Sequence, residues 1–320
     1  MGWSWYNEKT ERRDFVKKQE LGHTGMMTSV IGYGSIVSAM ADVNDYEFQG
    51  DKQAQSDLQV DWAVSKGINH FDVSPTYGDS QMRLGKSLLP YRKDIYISAK
   101  TIERQYDNAK RELEESLETL HTDYLDNYQM HALISLDDVE HAFADDGVMK
   151  LMDEMKSQKV IRHVGFTAHC EKTALKALEL YPFDTVLFPT NWQMHMAIGY
   201  GKNLFEEINK RGIGFLGMKS MIDRAFIPGE DAEARKKYQK SWCKPFDTES
   251  QADLLLAAMK YAWSLGPQIL IPAGNYDSFS FAVEHADAIT GELLTETEKQ
   301  LLASHLEEVK DYLFMPEEVR

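Results

Sequence analysis

Cysteine is scarce in this chain of 320 residues: the two present, Cys170 and Cys243, stand far apart, with no Cys/His pair at zinc-finger spacing beside them. Neither a disulfide framework nor a structural zinc is suggested, and reduced thiols in a cytoplasm are the simpler expectation. Long apolar runs are also lacking; no segment approaches the roughly 20 apolar residues that cross a bilayer. Basic residues are outnumbered, 35 Lys and Arg against 51 Asp and Glu, a net charge of −16. That balance argues against nucleic acid or an anionic membrane as the main partner. Arg12-Arg13-Asp14-Phe15-Val16-Lys17 is similar to a twin-arginine export signal, but polar, turn-forming residues 18–25 follow where an apolar stretch belongs.

Several catalytic motifs are missing as well. There is no Gly-x-Ser-x-Gly elbow and no His-Glu-x-x-His. Gly32-Tyr33-Gly34-Ser35-Ile36-Val37 stops after two glycines of the dinucleotide fingerprint, and Leu84-Gly85-Lys86-Ser87 has Ser80 where a phosphate loop needs its first glycine.

What is present is an alternation. Strand-length apolar runs at 29–33, 69–74, 94–100, 124–131, 163–169, 185–191, 214–218 and 268–272 alternate with longer stretches of helical periodicity. In one such stretch, 108–120, Leu113, Leu117 and Leu120 share a face while the charges lie away from it. Gly67, Gly212 and Gly266 stand just past three of the helices, where a left-handed cap is wanted. Repeated βα units predict an α/β fold, a (β/α)8 TIM barrel with an N-terminal β-hairpin. No linker divides the chain, so one domain is expected over 1–320, with an extension and hairpin over 1–28 that closes the barrel bottom. A long loop is expected over 222–250, across the catalytic face.

Barrel chemistry sits at the carboxyl ends of the strands. Asp72 and Tyr77 follow strand two, Lys100 ends strand three and His131 ends strand four. Together these residue types suit carbonyl reduction, which needs a proton for the developing alkoxide. Tyr77 is the expected donor, Lys100 is expected to lower its pKa, Asp72 to hold Lys100 charged, and His131 to orient the carbonyl oxygen. Singly, each has a structural alternative: Asp72 as a turn cap, Tyr77 packed on Pro75, Lys100 paired with Glu103, His131 bonded to a backbone carbonyl.

Gly67-Ile68-Asn69-His70-Phe71-Asp72-Val73-Ser74-Pro75-Thr76-Tyr77-Gly78 resembles the aldo-keto reductase signature around its catalytic Asp and Tyr. The resemblance continues through Leu84-Gly85, Ile97 to Lys100, Asp123 to Asp126, Met130-His131 and Val164 to Thr167. It implies a barrel that reduces aldehydes or ketones reversibly with a nicotinamide cofactor and no metal, and it puts Asp72, Tyr77, Lys100 and His131 on the catalytic positions. Departures cluster where the family grips the nicotinamide. Thr167 and Ala168, followed by His169, replace the usual Ser-Asn pair, Leu187 replaces a Gln, and Met218-Lys219 replaces a stacking aromatic in a pattern similar to a bacterial branch. That branch often ends in an iron-sulfur segment, but residues 245–320 contain no cysteine.

The expected cofactor contacts are Thr167, Asn191, Met218, Lys219, Pro272, Gly274, Asn275 and Ser278, and the expected substrate wall is Trp192, His195 and Trp242. No Arg or Lys occurs over 272–285. The basic run Arg235, Lys236, Lys237, Lys240 and Lys244 is the alternative source of a phosphate clamp, and NADP(H) is expected over NAD(H). The partner is a small carbonyl or alcohol. Two other classes stay open: a cofactor-binding sensor or partner subunit with little turnover, and a metal-dependent hydrolase using Asp72, His131 and His169.

Overall fold

A computed structural model of the chain describes residues 15–43, 46–227, 229–230, 237–238, 240–272 and 274–315. The barrel strands are β1 (Tyr33–Gly34), β2 (His70–Asp72), β3 (Tyr96–Thr101), β4 (Leu125–Leu133), β5 (Ile161–Ala168), β6 (Thr185–Pro189), β7 (Gly214–Met218) and β8 (Ile269–Ile271). All eight lie in or beside the apolar runs expected for them, and each pairs in parallel with its sequence neighbour. The sheet meets itself where Leu270 donates to Val30 O (2.9 Å) and Gly32 donates to Leu270 O (2.9 Å). β1 is shorter than expected because residues up to Ser29 are already paired in the N-terminal hairpin, Lys18–Glu20 against Met27–Ser29.

That hairpin plugs the barrel. Leu21 and Met26 pack with the inward side chains Leu187, Leu216, Ile269 and Ile271 in one apolar cluster. Another part of the interior is polar, and its groups bond one another: His70 Nε2 and Asn127 Nδ2 both reach Ser98 Oγ (3.2 and 3.1 Å), and Thr185 Oγ1 donates to Asn127 Oδ1 (2.9 Å). Buried polar groups are tolerable only when partnered in this way. Gly67, Gly212 and Gly266 have φ of 91°, 65° and 99°, the left-handed caps expected of them.

Among its described residues, the connection after β7 contains a short ribbon, Ile222–Arg224 paired antiparallel with Lys244–Pro245. Its Asp223, 1% exposed, takes a hydrogen bond from His305 on the helix Glu296–Val309 (2.7 Å), and that carboxylate holds the imidazole above its ordinary range. Arg235, Lys236 and residues 1–14 lie outside the described residues. No helix among the described residues is long and apolar enough to cross a membrane.

Gly165 on β5 tests this packing. A Cβ there would lie 2.1 Å from Thr185 Oγ1 and 2.7 Å from the Thr185 backbone oxygen. Gly165→Ala is expected to cost about 1–3 kcal/mol by overpacking, read as a lowered Tm. An unchanged Tm would count against the β5–β6 register.

Candidate active site

Alternation along parallel strands brings the quartet together. Asp72 pairs in register with Ser98, so Lys100 follows on the same inward face of β3, while Lys100 pairs with Gln129, two residues before His131 on β4. Past Asp72 the chain turns at Ser74-Pro75-Thr76-Tyr77, closed by Tyr77 N donating to Ser74 O (3.2 Å). The turn returns Tyr77 over the barrel mouth.

Lys100 is fully buried and its ammonium is in close contact with the Asp72 carboxylate, itself 3% exposed; it also donates to Val73 O (3.3 Å). Burial pushes Lys100 down and Asp72 up, and the attraction between them opposes both shifts. Lys100 therefore pairs with Asp72 and not with Glu103. Tyr77 Oη lies 3.4 Å from His131 Nε2, with the rings perpendicular at 89°. Burial, helped by the Asp72 charge, raises the Tyr77 phenol above its ordinary range. This reverses the expected direction: Lys100 Nζ sits 6.0 Å from the phenol ring centroid and is engaged with Asp72, so desolvation prevails. Tyr77 is accordingly a protonated phenol.

His131 is pushed down to about 3 by burial and by the surrounding cations Lys100, Arg104 and Lys219, so its ring is neutral. Its backbone is fixed from both sides. Arg104 Nη2 donates to His131 O (2.6 Å), and Ala132 N, at a left-handed φ of 54°, donates to Thr167 Oγ1 (2.7 Å).

A cleft of about 680 Å³ opens beside Asp72 and Tyr77, walled by Gly34, Ile36, Leu187, Met218, Lys219, Ile222, Lys240, Ser241, Trp242, Ile271, Pro272 and Gly274. Of the expected contacts it gathers Met218, Lys219, Pro272, Gly274 and Trp242. Lys219 Nζ lies 4.8 Å from the centre of the Trp242 ring and burial pushes it down. Lys240 donates to Ile36 O (3.1 Å) and Val37 O (2.9 Å) and is pushed down to about 8 by burial. Neither lysine forms an ion pair with a described residue. Lys240 also borders a second cavity, with Tyr46, Phe48, Gln55, Gln59, Lys237, Asn275 and Tyr276. Gln59 is 6% exposed and its Oε1 has no partner.

The other expected residues lie elsewhere. Thr167 spends its hydroxyl on Ala132 N. Asn191 accepts from Met194 N (3.0 Å) and donates to Lys219 O (3.1 Å) and Ile222 O (2.8 Å), so it shapes the cleft from behind. Ser278 N donates to Asn275 Oδ1 (2.8 Å), which caps the helix Tyr276–Glu284. Trp192 is fully buried, its indole N–H on Ile222 O (3.1 Å), and His195 bonds Tyr261 Oη (2.8 Å); neither reaches the cleft. Arg104 and Ser74 were not singled out from the sequence; Arg104 belongs to no motif, whereas Ser74 stands inside the signature. No group of three or more His, Cys, Asp or Glu among the described residues could hold a metal ion.

The model described as the Aldo/keto reductase family matches residues 32–270. L-galactose dehydrogenase of Arabidopsis thaliana is 30% identical over 166 residues, 48% of this chain and 48% of that protein. D-arabinose 1-dehydrogenase of Saccharomyces cerevisiae is 24% identical over 293 residues, 78% of this chain and 84% of that protein. The uncharacterized oxidoreductase YqkF of Bacillus subtilis is 25% identical over 167 residues, so the chain spans about half the length of this relative (49%) and of the plant one (48%). Among solved structures, an aldo-keto reductase of Bacillus halodurans in its holo form has a TM-score of 0.66 at 18% identity, covering 95% of this chain and 100% of that one. One from Klebsiella pneumoniae in complex with NADPH has a TM-score of 0.61 at 18% identity, covering 94% and 99%.

Three histidines, the buried His70 and the half-buried His131 and His169, are all pushed down to about 3, chiefly by loss of solvent around the ring. Between about 3 and the ordinary value of 6.5 the unfolded chain binds protons that the folded one refuses, so stability is full above 6.5 and falls as pH drops through this window. His169→Gln is expected to make the slope of unfolding free energy against pH shallower by one proton between pH 6 and 4, measured by urea titration. An unchanged slope would place His169 in water.

Proposed function

Because the chain belongs to the aldo/keto reductase family, an oxidoreductase family, we propose that it reduces an aldehyde or ketone with NAD(P)H, Tyr77 donating the proton to the carbonyl oxygen. The observation that carries this reading is the approach of the protonated Tyr77 phenol, which lines the cleft with Asp72, to the neutral His131 ring at 3.4 Å, while the buried Lys100 is held against that Asp72. A reduced nicotinamide bound there supplies two electrons and a hydrogen to the carbonyl carbon. The chain's own residues do the rest: His131 and Tyr77 hydrogen-bond the oxygen, Tyr77 gives up its proton as negative charge develops, and Lys100 stabilises the phenolate left behind. Lys100 contributes after proton transfer, when there is an anion to stabilise, and Asp72 keeps it in place.

The residues present suit the cofactor. Leu187, Met218 and Ile271 offer apolar contact for a flat ring, and Lys219 and Lys240 are cations with no ion pair to a described carboxylate beside an apolar cleft, a combination suited to phosphates. The second cavity beyond Lys240, with its tyrosines, amides and Lys237, supports NADPH over NADH by offering cationic contact for a further phosphate. Pro272, Gly274 and Asn275 border these cavities, and Thr167, Asn191 and Ser278 act on them through the backbone. Trp242 is the wall most open to substrate, at 47% exposure. The two relatives named for sugar dehydrogenation make aldoses the first substrates to try, in the oxidative direction.

Titration with NADPH and NADH, followed by tryptophan fluorescence, tests this directly. Tyr77→Phe is expected to bind NADPH as the parent does and to lose about 10²–10⁴-fold in carbonyl turnover; undiminished turnover would remove Tyr77 as the donor. Lys240→Met is expected to weaken NADPH binding by about tenfold or more, the worth of a charged hydrogen bond. Equal affinity of the parent for both cofactors would remove the NADPH preference while leaving the reductase reading in place.

A further inference from the structure

Ser74 is fully buried, and its hydroxyl oxygen lies 3.2 Å from His131 Nδ1. It is the partner that nitrogen has, while Nε2 faces Tyr77 Oη at 3.4 Å, beyond the usual range of an O–H hydrogen bond. The ring is neutral, so one of its nitrogens carries a hydrogen and the other accepts. Which is which decides whether His131 can donate to a carbonyl oxygen in the cleft or merely occupies the Tyr77 proton.

The hydrogen-bond inventory of Ser74 favours one sense. Its oxygen accepts from Thr76 N (3.3 Å) and lies 2.9 Å from Thr76 Oγ1, whose exposed side chain can donate to it and turn its own lone pairs to water. When Thr76 Oγ1 donates as Thr76 N does, both acceptor positions of Ser74 are filled and its proton is directed to Nδ1. We propose that Ser74 is a positioning residue that holds His131 in the Nε2–H tautomer, so that His131 and Tyr77 present two donors to the same carbonyl oxygen. The Arg104 contact to His131 O and the Thr167 contact to Ala132 N fix the backbone on which the ring swings. Ser74 then fixes which nitrogen carries the hydrogen. The inference rests on the reductase reading for its catalytic consequence, but the tautomer itself requires neither cofactor nor substrate.

The test is a long-range ¹⁵N–¹H correlation spectrum of ¹⁵N-histidine-labelled protein without ligand, with His131 assigned by its loss in His131→Gln. The expected result is an unprotonated Nδ1 and a protonated Nε2 in the parent, and a mixed or reversed pattern in Ser74→Ala. An Nδ1–H tautomer in the parent overturns the proposal even if the variant fails to fold, and so does a Ser74→Ala spectrum identical to the parent's. In turnover, Ser74→Ala is expected to lose on the order of tenfold in kcat, as one hydrogen bond's worth of orientation, with NADPH affinity unchanged. Absence of carbonyl reduction in the parent would sink the reductase reading while the spectrum still decides the role of Ser74.

Discussion

The barrel mouth depends on one contact, between the Lys100 ammonium and the Asp72 carboxylate. An ammonium as deeply buried as Lys100 costs several kcal/mol unless a counter-ion and further acceptors meet it, and here Asp72 and Val73 O do so. The pair exists because β2 ends at Asp72 while β3 runs on past Ser98, the residue opposite, to Lys100 on the same inward face. A slip of one residue would turn Lys100 into the helix layer and leave Asp72 without a partner. The contact also anchors the turn that begins at Ser74, so the hydroxyl facing His131 and the phenol of Tyr77 both take their positions from it.

Much of this was legible in the sequence, for reasons that differ by element. The strands could be read because parallel strands covered on both faces are short apolar runs, and the glycine caps because a left-handed residue is needed where helix gives way to strand. The quartet was legible because all four residues sit at or just past strand exits, two of them within the family signature and two in the motifs that continue the resemblance. What could not be read was direction. Asn191 and Thr167 are at strand exits too, but their side chains turn to the backbone of neighbouring connections, to Lys219 and Ile222 in one case and Ala132 in the other. Those connections fold by long-range contact, and no periodicity announces them. Trp192 shows the same limit: it follows Asn191 directly, but a large ring one residue further along points into the core under the ribbon.

The sign of the Tyr77 shift illustrates why residue types alone do not fix electrostatics. A lysine near a tyrosine lowers the phenol only if its charge is free to act. Here Asp72 neutralises most of that charge before it reaches the ring, and burial of the hydroxyl pushes the other way. A phenol that stays protonated until the carbonyl oxygen gathers charge suits a donor that must not ionise beforehand.

The same reasoning bears on the contrast between the whole chain and its cleft. At a net charge of −16 the molecule repels anions at long range, yet Lys219 and Lys240 both line the cleft. At physiological ionic strength charges more than about 8 Å apart are largely screened, so an anion at the mouth is governed by the few cations it meets and not by the distant acids. Both lysines are desolvated with no ion pair to a carboxylate among the described residues, Asp79 alone supporting the Lys240 charge through its field, and Lys219 is held at a left-handed φ of 64° besides. Burial and backbone strain of that kind lower stability and return nothing to the fold. An anion bound at the rim, as proposed above, would supply the charge that the described carboxylates do not.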